Sequence, residues 1–126
     1  MTIVNLTQHQ ASPEQIQAGV VDLAPEARSK LQKLLTFDKL EDTENKEVVR
    51  RALEIAELAA ATGASQAMIG GAFWLVIPLE NALSCKRIAT VFAFSQRVSE
   101  DQVQPDGSVK KVAVFRHVGF VRPNGT

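Results

Sequence analysis

Apolar and polar positions alternate along this chain in a way that predicts strands and helices in turn. Short runs of β-branched and apolar residues at Thr2–Leu6 and Val20–Leu23 are typical of buried strands. Two more runs, Ala67–Ile69 and Ile88–Phe94, flank a mostly apolar segment at Ala72–Leu83 that predicts a helix. A strand, a glycine turn, a helix and a second strand form the unit from which parallel sheets are built.

Three further helices are predicted between the first and third strands. Ser12 suits an N-cap, Pro13 the first helical position, and Gln15 the third position of a capping box, while Gly19 ends this short helix. The other two helices carry apolar residues at helical spacing; they run from Pro25 through Leu35 and from Glu47 to Ala61. We expect all three to cover the sheet.

The C-terminal third predicts an antiparallel hairpin. Its arms are Thr90–Val98 and Val109–Val121, with turn residues at Pro105–Gly107 and a polar, projecting tip at Ser99–Gln104. The whole pattern predicts an α/β protein. We expect a small Rossmann-like three-layer fold over residues 1–126, in which a mostly parallel sheet ends in an antiparallel hairpin.

The predicted strands bring several polar residues together, although the sequence does not give the order of the strands. If the first, third and fourth strands run parallel, their carboxyl ends share the edge where open α/β sheets bind ligands. The residues that follow these strands are the candidate ligand contacts: Thr7, Gln8, His9, Gly70, Gly71, Ser95 and Arg97. Free N–H groups at glycines and helix N-termini, together with arginine side chains, suit a phosphate. We also expect the start of the last strand, at Lys110–Lys111, to approach this edge, with Arg116 partway along.

Each candidate also has a purely structural interpretation. The Gly70-Gly71 pair is neither a P-loop nor a GxGxxG motif, so it is either a tight turn or an anion site. His9 is either a structural histidine or a general acid or base. Thr7 either satisfies its own loop or bonds a phosphate oxygen, and Arg97 is either a phosphate contact or a surface charge.

Composition excludes several kinds of chemistry. Fourteen basic and fourteen acidic residues cancel, so a nucleotide site must be a local cluster, and no helix carries the basic face that duplex DNA requires. Two histidines and one cysteine, without carboxylates at ligand spacing, predict no metal site and no cofactor. Arg116-His117 is typical of a solvated strand face with only one of the two side chains inward, and their roles stay open.

Cysteine usage and hydropathy indicate the compartment. The single Cys85 excludes an internal disulfide and fits a reducing environment. No apolar run reaches the roughly 18 to 20 residues of a membrane span, and the N-terminal residues lack the pattern of a signal peptide. We therefore expect a cytoplasmic protein that does not enter a membrane.

The predicted helix at Ala72–Leu83 is apolar on nearly every side. A helix without a polar face is buried inside its domain or against a partner. A domain of 126 residues has few other elements that could cover this helix on all sides, so we expect a homodimer. Pro78 inside this helix predicts a bend or a break.

The segment NLTQHQASPEQ, Asn5–Gln15, resembles the opening of small CRISPR-associated Rossmann-fold (CARF-like) ancillary proteins, in which a first strand leads into a hydroxyl-x-His loop and a Thr/Ser-x-x-Gln helix start. The chain also resembles a family of phage and mobile-element proteins through four further segments: IGG (69–71), PLENAL (78–83), FAFSQRVS (92–99) and VFRHVGFV (114–121). The resemblance implies binding of cyclic oligonucleotide signals of antiviral defence, often by homodimers. Thr7 and His9 are the residues that carry over.

Three functional hypotheses follow. In the first, the protein binds a cyclic oligonucleotide of the cyclic oligoadenylate type at the carboxyl edge of the sheet, as a sponge or regulator. In the second, it is a metal-independent ring nuclease in which a ribose 2′-hydroxyl attacks its own phosphate, with His9 as acid or base and Arg97 stabilising the transition state. In the third, it is a protein-interaction module whose hairpin tip, Ser99–Lys111, docks a partner.

Overall fold

The computed structural model describes residues 2–123. Its elements in chain order are β1 (Ile3–Asn5), α1 (Pro13–Gln17), β2 (Val20–Asp22), α2 (Pro25–Leu35), a 3₁₀ turn (Leu40–Thr43), α3 (Asn45–Ala60), β3 (Gln66–Met68), α4 (Phe73–Cys85), β4 (Ala89–Val103) and β5 (Val109–Val121). This element order confirms the predicted α/β class. None of the helices within the described residues has the length and apolar composition that crossing a bilayer requires.

The five strands form one sheet in the order β2-β1-β3-β4-β5. β1 lies parallel to β2 on one side and to β3 on the other, and β4 lies parallel to β3. β5 runs antiparallel to β4. The predicted Rossmann-like fold, a mostly parallel sheet with an antiparallel end pair, is therefore confirmed.

Successive residues of β1 point to opposite faces of the sheet and belong to two different clusters. Val4 packs in the larger core with residues of α2, α3 and α4, among them Leu31, Ile55 and Leu79, all at most 2% exposed. Ile3 lies in a smaller cluster with three buried residues of the neighbouring strands, namely Val20, Met68 and Val91, against which Ala11 and Phe120 pack. Helices thus cover most of one face, although Val21 of the edge strand β2 is 52% exposed, whereas Ala11 and Phe120 pack on the cluster of the other face.

The short helix α1 begins as its sequence predicts. The Ser12 side chain accepts a hydrogen bond from the Gln15 N–H at 3.2 Å, and the Gln15 side chain accepts one from the Ser12 N–H at 3.0 Å. This reciprocal capping box, with Pro13 at the first position, stabilises a helix of only five residues.

Arg51 of α3 holds the polar connection between α2 and α3. Its guanidinium lies 4.5 Å from the centre of the Phe37 ring and donates to the carbonyl of Thr36 at 2.6 Å. Glu47 accepts from its Nε at 2.8 Å. A buried arginine is tolerated here because its charge is paired and its donors are used.

Helix α4 is apolar but is not buried on every side. Leu75, Leu79 and Leu83 are at most 1% exposed, whereas Phe73 is 82% and Ile77 is 71% exposed. The helix is continuous through Pro78, so the alternative of two short helices is wrong. The burial expected for all of α4 is supplied on one side only.

The C-terminal hairpin is longer than predicted. β4 pairs with β3 only as far as Val91, and from Phe92 it pairs with β5 alone. We call this two-stranded part, Phe92–Val103 with β5, the ribbon. Ser99–Gln104 was expected to form a projecting tip, but β4 continues through Val103, and the turn is closed by the Gln104 N–H bonded to the Ser108 carbonyl at 2.7 Å.

The expectation that Lys110–Lys111 approaches the sheet edge is wrong. These two lysines pair with Gln102 and Asp101 near the far end of the ribbon. Ten residues separate Val91 from Asp101, a distance of roughly 30 Å along a strand. The cause is the register of the hairpin, which continues well beyond the parallel sheet.

Candidate functional site

Two loops face each other at the carboxyl edge of the sheet. One follows β1 at residues 7–10, and the other follows β3 at residues 69–71. Between them lies an open cleft of about 390 Å³. The cleft is lined by Thr7, Gln8, His9, Gln10, Gln15, Met68, Ile69, Gly70, Gly71, Phe92 and Ala93. Five of the seven predicted ligand contacts therefore line the same cleft: Thr7, Gln8, His9, Gly70 and Gly71.

The position of the cleft follows from the order of the strands. The chain passes from β1 to β2 on one side and then returns to place β3 on the other side of β1. The loops after β1 and β3 consequently leave the sheet in different directions and open a crevice. Open α/β sheets bind ligands at such a switch point.

Asn5, the last residue of β1, organises the first loop. It is fully buried, and its amide oxygen accepts hydrogen bonds from the Thr7 N–H at 2.9 Å and the Thr7 hydroxyl at 2.7 Å. Its amide nitrogen donates to the His9 carbonyl at 2.8 Å and to Asp22 Oδ1 at 2.7 Å. The side chain thus uses both of its N–H groups and both of its acceptor positions.

This network favours one of the two roles considered for Thr7, in which its hydroxyl satisfies its own loop. Its hydroxyl lies within bonding distance of Asn5 Oδ1 and, at 3.1 Å, of the His9 carbonyl. The hydroxyl proton is used inside the loop in either case. Thr7 therefore positions the loop and presents to the cleft its methyl group, which lies 3.7 Å from where a Cβ on Gly70 would stand.

Helix α2 and the end of β2 hold the outer side of the same loop. Asp22 accepts a hydrogen bond from the Ala11 N–H at 3.1 Å. The Gln8 carbonyl accepts from Gln32 at 2.8 Å and from Arg28 at 3.3 Å. Reasoning from the sequence missed Asn5, Asp22, Arg28 and Gln32. The available signal was a polar residue at the end of each short apolar strand, since buried polar groups in strands are almost always bonded.

The second wall of the cleft, which includes Gly70 and Gly71, leads into a helix N-terminus with free donors. Gly71 has φ of 96°, a left-handed conformation that favours glycine, and it leads into the 13-residue helix α4. Within residues 2–123 no side chain caps this helix, and its first turn contains no acidic residue. The N–H groups of Phe73 and Trp74 have no intrahelical acceptor. Donors and the positive end of the helix dipole therefore meet beside the cleft.

The side chains of Gln8 and His9 extend into solvent at the cleft mouth. Both residues are exposed, and the His9 imidazole makes no hydrogen bond to any part of the chain that the structure describes. Its backbone carbonyl is fixed by Asn5, so the loop is ordered while the ring stays available. An imidazole in this position can donate to, accept from, or exchange a proton with a bound molecule.

Ser95 and Arg97 are not part of the cleft wall. They lie on β4 two and four residues beyond Ala93, which lines the cleft, and hence about 7 and 13 Å farther out. Residues two apart on a strand share a face, so both follow Ala93 on the same side of the ribbon. Ser95 and Arg97 therefore lie farther out on the ribbon than the cleft lining.

Arg116 is occupied by acidic partners. It donates to both carboxylate oxygens of Glu100 at 2.6 Å and lies 3.4 Å from Glu14 of α1. The bonds to Glu100 raise the pKa of the Arg116 guanidinium, and Glu14 adds to the effect. Arg116 thereby ties the ribbon to α1, and its charge is not directed at the cleft.

The cleft is neutral in its lining. No lysine or arginine stands among the described residues that form its walls. Among residues 2–123, no group of three or more His, Cys, Asp or Glu has the arrangement needed to hold a metal ion. What the cleft offers is a set of N–H donors, amides and one imidazole.

A model of the Uncharacterized protein MJ1673 family matches residues 1–121 of the chain. No curated protein and no solved structure gives a significant match. The family match covers every described strand and helix.

Proposed function

The chain belongs to the Uncharacterized protein MJ1673 family, and we propose that it binds a cyclic oligonucleotide of the cyclic oligoadenylate type in the cleft between the β1 and β3 loops. It would act in antiviral defence as a sponge or regulator of such a signal. The observation that carries this proposal is the meeting of an ordered, solvent-facing Gln8-His9 segment with the free N–H groups that follow Gly70. The likeness of Asn5–Gln15 to CARF-like proteins points to the same ligand class.

The charge of the cleft favours a phosphodiester over a terminal phosphate. A phosphomonoester carries about −1.5 to −2 at neutral pH and is usually met by arginine or lysine. A diester carries a single negative charge, which backbone N–H groups at a helix N-terminus can satisfy. A cyclic oligonucleotide contains diesters only. The neutral lining therefore suits it better than it suits a nucleoside mono- or triphosphate.

The size of the cleft supports a ligand that extends beyond it. Its volume of about 390 Å³ lies near the lower end of the range for small-molecule sites. Phe92 and Ala93, at the start of the ribbon, line the cleft, and Ser95 and Arg97 follow them along β4. A ring of several nucleotides would place one phosphate in the cleft and its other parts outside.

The proposal includes a homodimer formed through α4. Phe73 and Ile77 stand one helical turn apart and are 82% and 71% exposed, and Leu53 of the neighbouring α3 is 53% exposed. The apolar groove between the two helices contains no charged residue among its described lining. A second copy covers such a surface without desolvating a charge, which is why we assign it to self-association.

His9 supports a second candidate, cleavage of the ring without a metal. The ribose 2′-oxygen would attack the adjacent phosphorus as the bond to the 5′-oxygen breaks, which gives a 2′,3′-cyclic phosphate and a free 5′-hydroxyl. His9 would carry out one of the two proton transfers, either accepting the proton of the 2′-hydroxyl or delivering one to the leaving oxygen, and water would carry out the other. The described residues that line the cleft include no second acid or base, so we expect binding to dominate and cleavage to be slow.

Thermal unfolding with a panel of ligands tests the proposal. The panel contains cyclic tri-, tetra- and hexa-adenylate, the corresponding linear 5′-phosphorylated chains, and inorganic phosphate. A ring present at about 100 times its Kd adds about 2.7 kcal/mol and raises the Tm by roughly 10 °C. Stabilisation by at least one ring, and more by that ring than by its linear counterpart, supports the proposal. No stabilisation by any ring would leave the protein-interaction hypothesis as the better account.

Chromatography of any stabilising ring after incubation separates binding from cleavage. Slow formation of a linear product by the wild-type protein, abolished in His9→Ala, supports the nuclease candidate. Intact ligand after prolonged incubation excludes it and leaves the binding function in place. Cleavage that persists in His9→Ala removes His9 as the essential acid or base.

A further inference from the structure

A row of aromatic side chains leads from the core to the exposed part of the ribbon. Phe120 packs against the smaller core cluster, and its ring centre lies 4.8 Å from that of His117. Phe115 follows on the same strand and is 74% exposed. In the described part of the chain, Phe115 has no ring contact. The row therefore ends in a phenyl ring, that of Phe115, which is mostly exposed to solvent.

A β-bulge brings these three residues onto one face. In the register of β4 with β5, Phe94 pairs with Gly119 but Ser95 pairs with His117, which leaves Val118 unpaired. An extra residue shifts the alternation by one position. Phe120 and His117 would point to opposite faces of a regular strand, and the bulge places them together.

The same face begins in the cleft. Ala93 lines the cleft and pairs with Phe120, and two residues farther along β4, Ser95 pairs with His117. The next residue on this face, Arg97, pairs with Phe115. Directly opposite residues share a face of an antiparallel pair. The face that lines the cleft at Ala93 thus continues along the ribbon to Arg97, which lies beside the exposed ring of Phe115.

Arg97 is free to act on a ligand. Its guanidinium makes no hydrogen bond and no ion pair within residues 2–123, in contrast to Arg116, which Glu100 and Glu14 occupy. Guanidinium groups stack on aromatic rings and donate to acceptor atoms at the edge of a base. Aromatic side chains on β-structures form stacking platforms for unpaired bases.

We propose that Phe115, Arg97 and His117 form a base-stacking platform for the ligand whose phosphate occupies the Gly70-Gly71 cleft. The inference rests on the proposed function and deepens it. One base of the cyclic oligonucleotide stacks on Phe115, and Arg97 contacts the same base. Because every base has a π-face, the platform supplies affinity without selecting the base, and the Arg97 guanidinium can donate to an acceptor atom of the stacked base, such as adenine N7.

Calorimetric titration of cyclic tetra-adenylate into four variants tests the platform. Phe115→Ala removes the ring, and Phe115→Tyr keeps it. Val109→Ala, a 61% exposed apolar position farther out on the same strand, is the matched control. Gly70→Ala reports on the cleft. The platform predicts a Kd weakened on the order of tenfold to 100-fold in Phe115→Ala, with Phe115→Tyr and Val109→Ala close to wild type.

A fluorescence measurement adds a signal that a merely structural role would not produce. Phe115→Trp places an indole in the platform, and the platform predicts quenching of its emission when the ring is added. Val109→Trp provides the control and should show no change beyond that of Trp74 in the wild type. Quenching confined to Phe115→Trp supports stacking, and equal behaviour of the two variants overturns it.

The outcomes separate this inference from the proposed function. If cyclic tetra-adenylate binds, Gly70→Ala weakens it and Phe115→Ala does not, the platform is overturned and the cleft stands. If Phe115→Ala loses affinity only because a dimer becomes a monomer, Phe115 belongs to an interface and the platform is overturned. If no cyclic oligoadenylate binds the wild-type protein, the proposed function and the platform fail together.

Discussion

The side chain of Asn5 donates a hydrogen bond to Asp22 Oδ1 at 2.7 Å, so the last residues of β1 and β2 are joined beneath the loop that forms one wall of the cleft. The two residues are also directly paired in the sheet. Asp22 in turn accepts from the Ala11 N–H, at the far end of this loop. Both ends of the loop are therefore fixed to the sheet before any ligand arrives, which lowers the cost of binding.

Asn5→Ala should destabilise the fold by at least about 2 kcal/mol, because it leaves several buried or half-buried groups without a partner. Urea unfolding followed by circular dichroism measures the loss. Asn45→Ala, at the exposed first residue of α3, is the matched control and should change stability by no more than about 0.5 kcal/mol. An Asn5→Ala variant as stable as Asn45→Ala would contradict the central role of this side chain.

Gly71→Ala and Gly63→Ala provide a matched pair of backbone tests. Both glycines have positive φ, 96° and 76°, and a Cβ at either position meets no atom within 4 Å. Each substitution should cost about 1 kcal/mol from left-handed strain alone. Denaturant unfolding should give similar losses for the two. Only Gly71→Ala should weaken cyclic oligonucleotide binding, since Gly63 ends α3 away from the cleft; equal affinities of the two variants would exclude the Gly71 backbone from the site.

Glu47 predicts a defined acid dependence of stability. Hydrogen bonds from Arg50 and then from Arg51 lower the pKa of the Glu47 carboxyl from 4.5 to about 2. A carboxyl with a lowered folded pKa binds fewer protons in the folded state, so its contribution is complete above pH 4.5 and is lost as the pH falls toward 2.

Urea midpoints measured at intervals across this acid range test the assignment. Glu47→Gln should flatten the decline of stability relative to the wild-type protein. Glu26→Gln, at an exposed position in the first turn of α2, controls for the loss of one negative charge. A Glu47→Gln variant that declines as steeply as the wild type would show that the Arg50 and Arg51 contacts contribute nothing in solution.

Ile77→Glu should convert the proposed homodimer into a monomer. It places a charge on the exposed apolar face of α4 at a side chain that is already 71% exposed, so the free energy of unfolding of the monomer should change little. Sedimentation velocity across a range of concentrations measures the change. Val103→Glu, at a 76% exposed apolar residue at the far end of the ribbon, should remain a dimer. If the wild-type protein sediments as a monomer at every concentration, the proposed homodimer is wrong.

Apolar periodicity predicted the location of the strands and helices because burial on the sheet is a local property of each segment. The parallel arrangement of the first, third and fourth strands placed the loop at Thr7 opposite Gly70, and the structure confirms that arrangement. The Asn5–Asp22 bond was not predictable, because it depends on the register of two strands that are separated by a helix. Polar residues at the ends of apolar strands were the one signal available.

The outer part of the ribbon, in contrast, could not be predicted from apolar periodicity. Its outer half is polar, and nothing in the pattern around Ser99–Gln104 distinguishes a paired strand from a loop, because neither face packs on a core. No pattern in the sequence indicates the bulge at Val118, although this bulge places His117 beside Phe120. Arg97 lies four residues beyond Ala93 on β4 and therefore outside the cleft wall. The order of the strands alone does not predict this separation.

Calorimetric titration of cyclic oligoadenylates into the wild-type protein and Gly70→Ala tests the central claim most directly. A Cβ on Gly70 would stand 3.7 Å from the Thr7 methyl, an ordinary contact, so the variant should fold with unchanged stability while its methyl group narrows the cleft between the two loops. We predict that the wild-type protein binds at least one ring and that Gly70→Ala binds it at least about tenfold more weakly, a difference of about 1.4 kcal/mol. Equal affinity of the two proteins for the ring, or no binding of any ring by the wild type, would contradict a ligand site between the β1 and β3 loops.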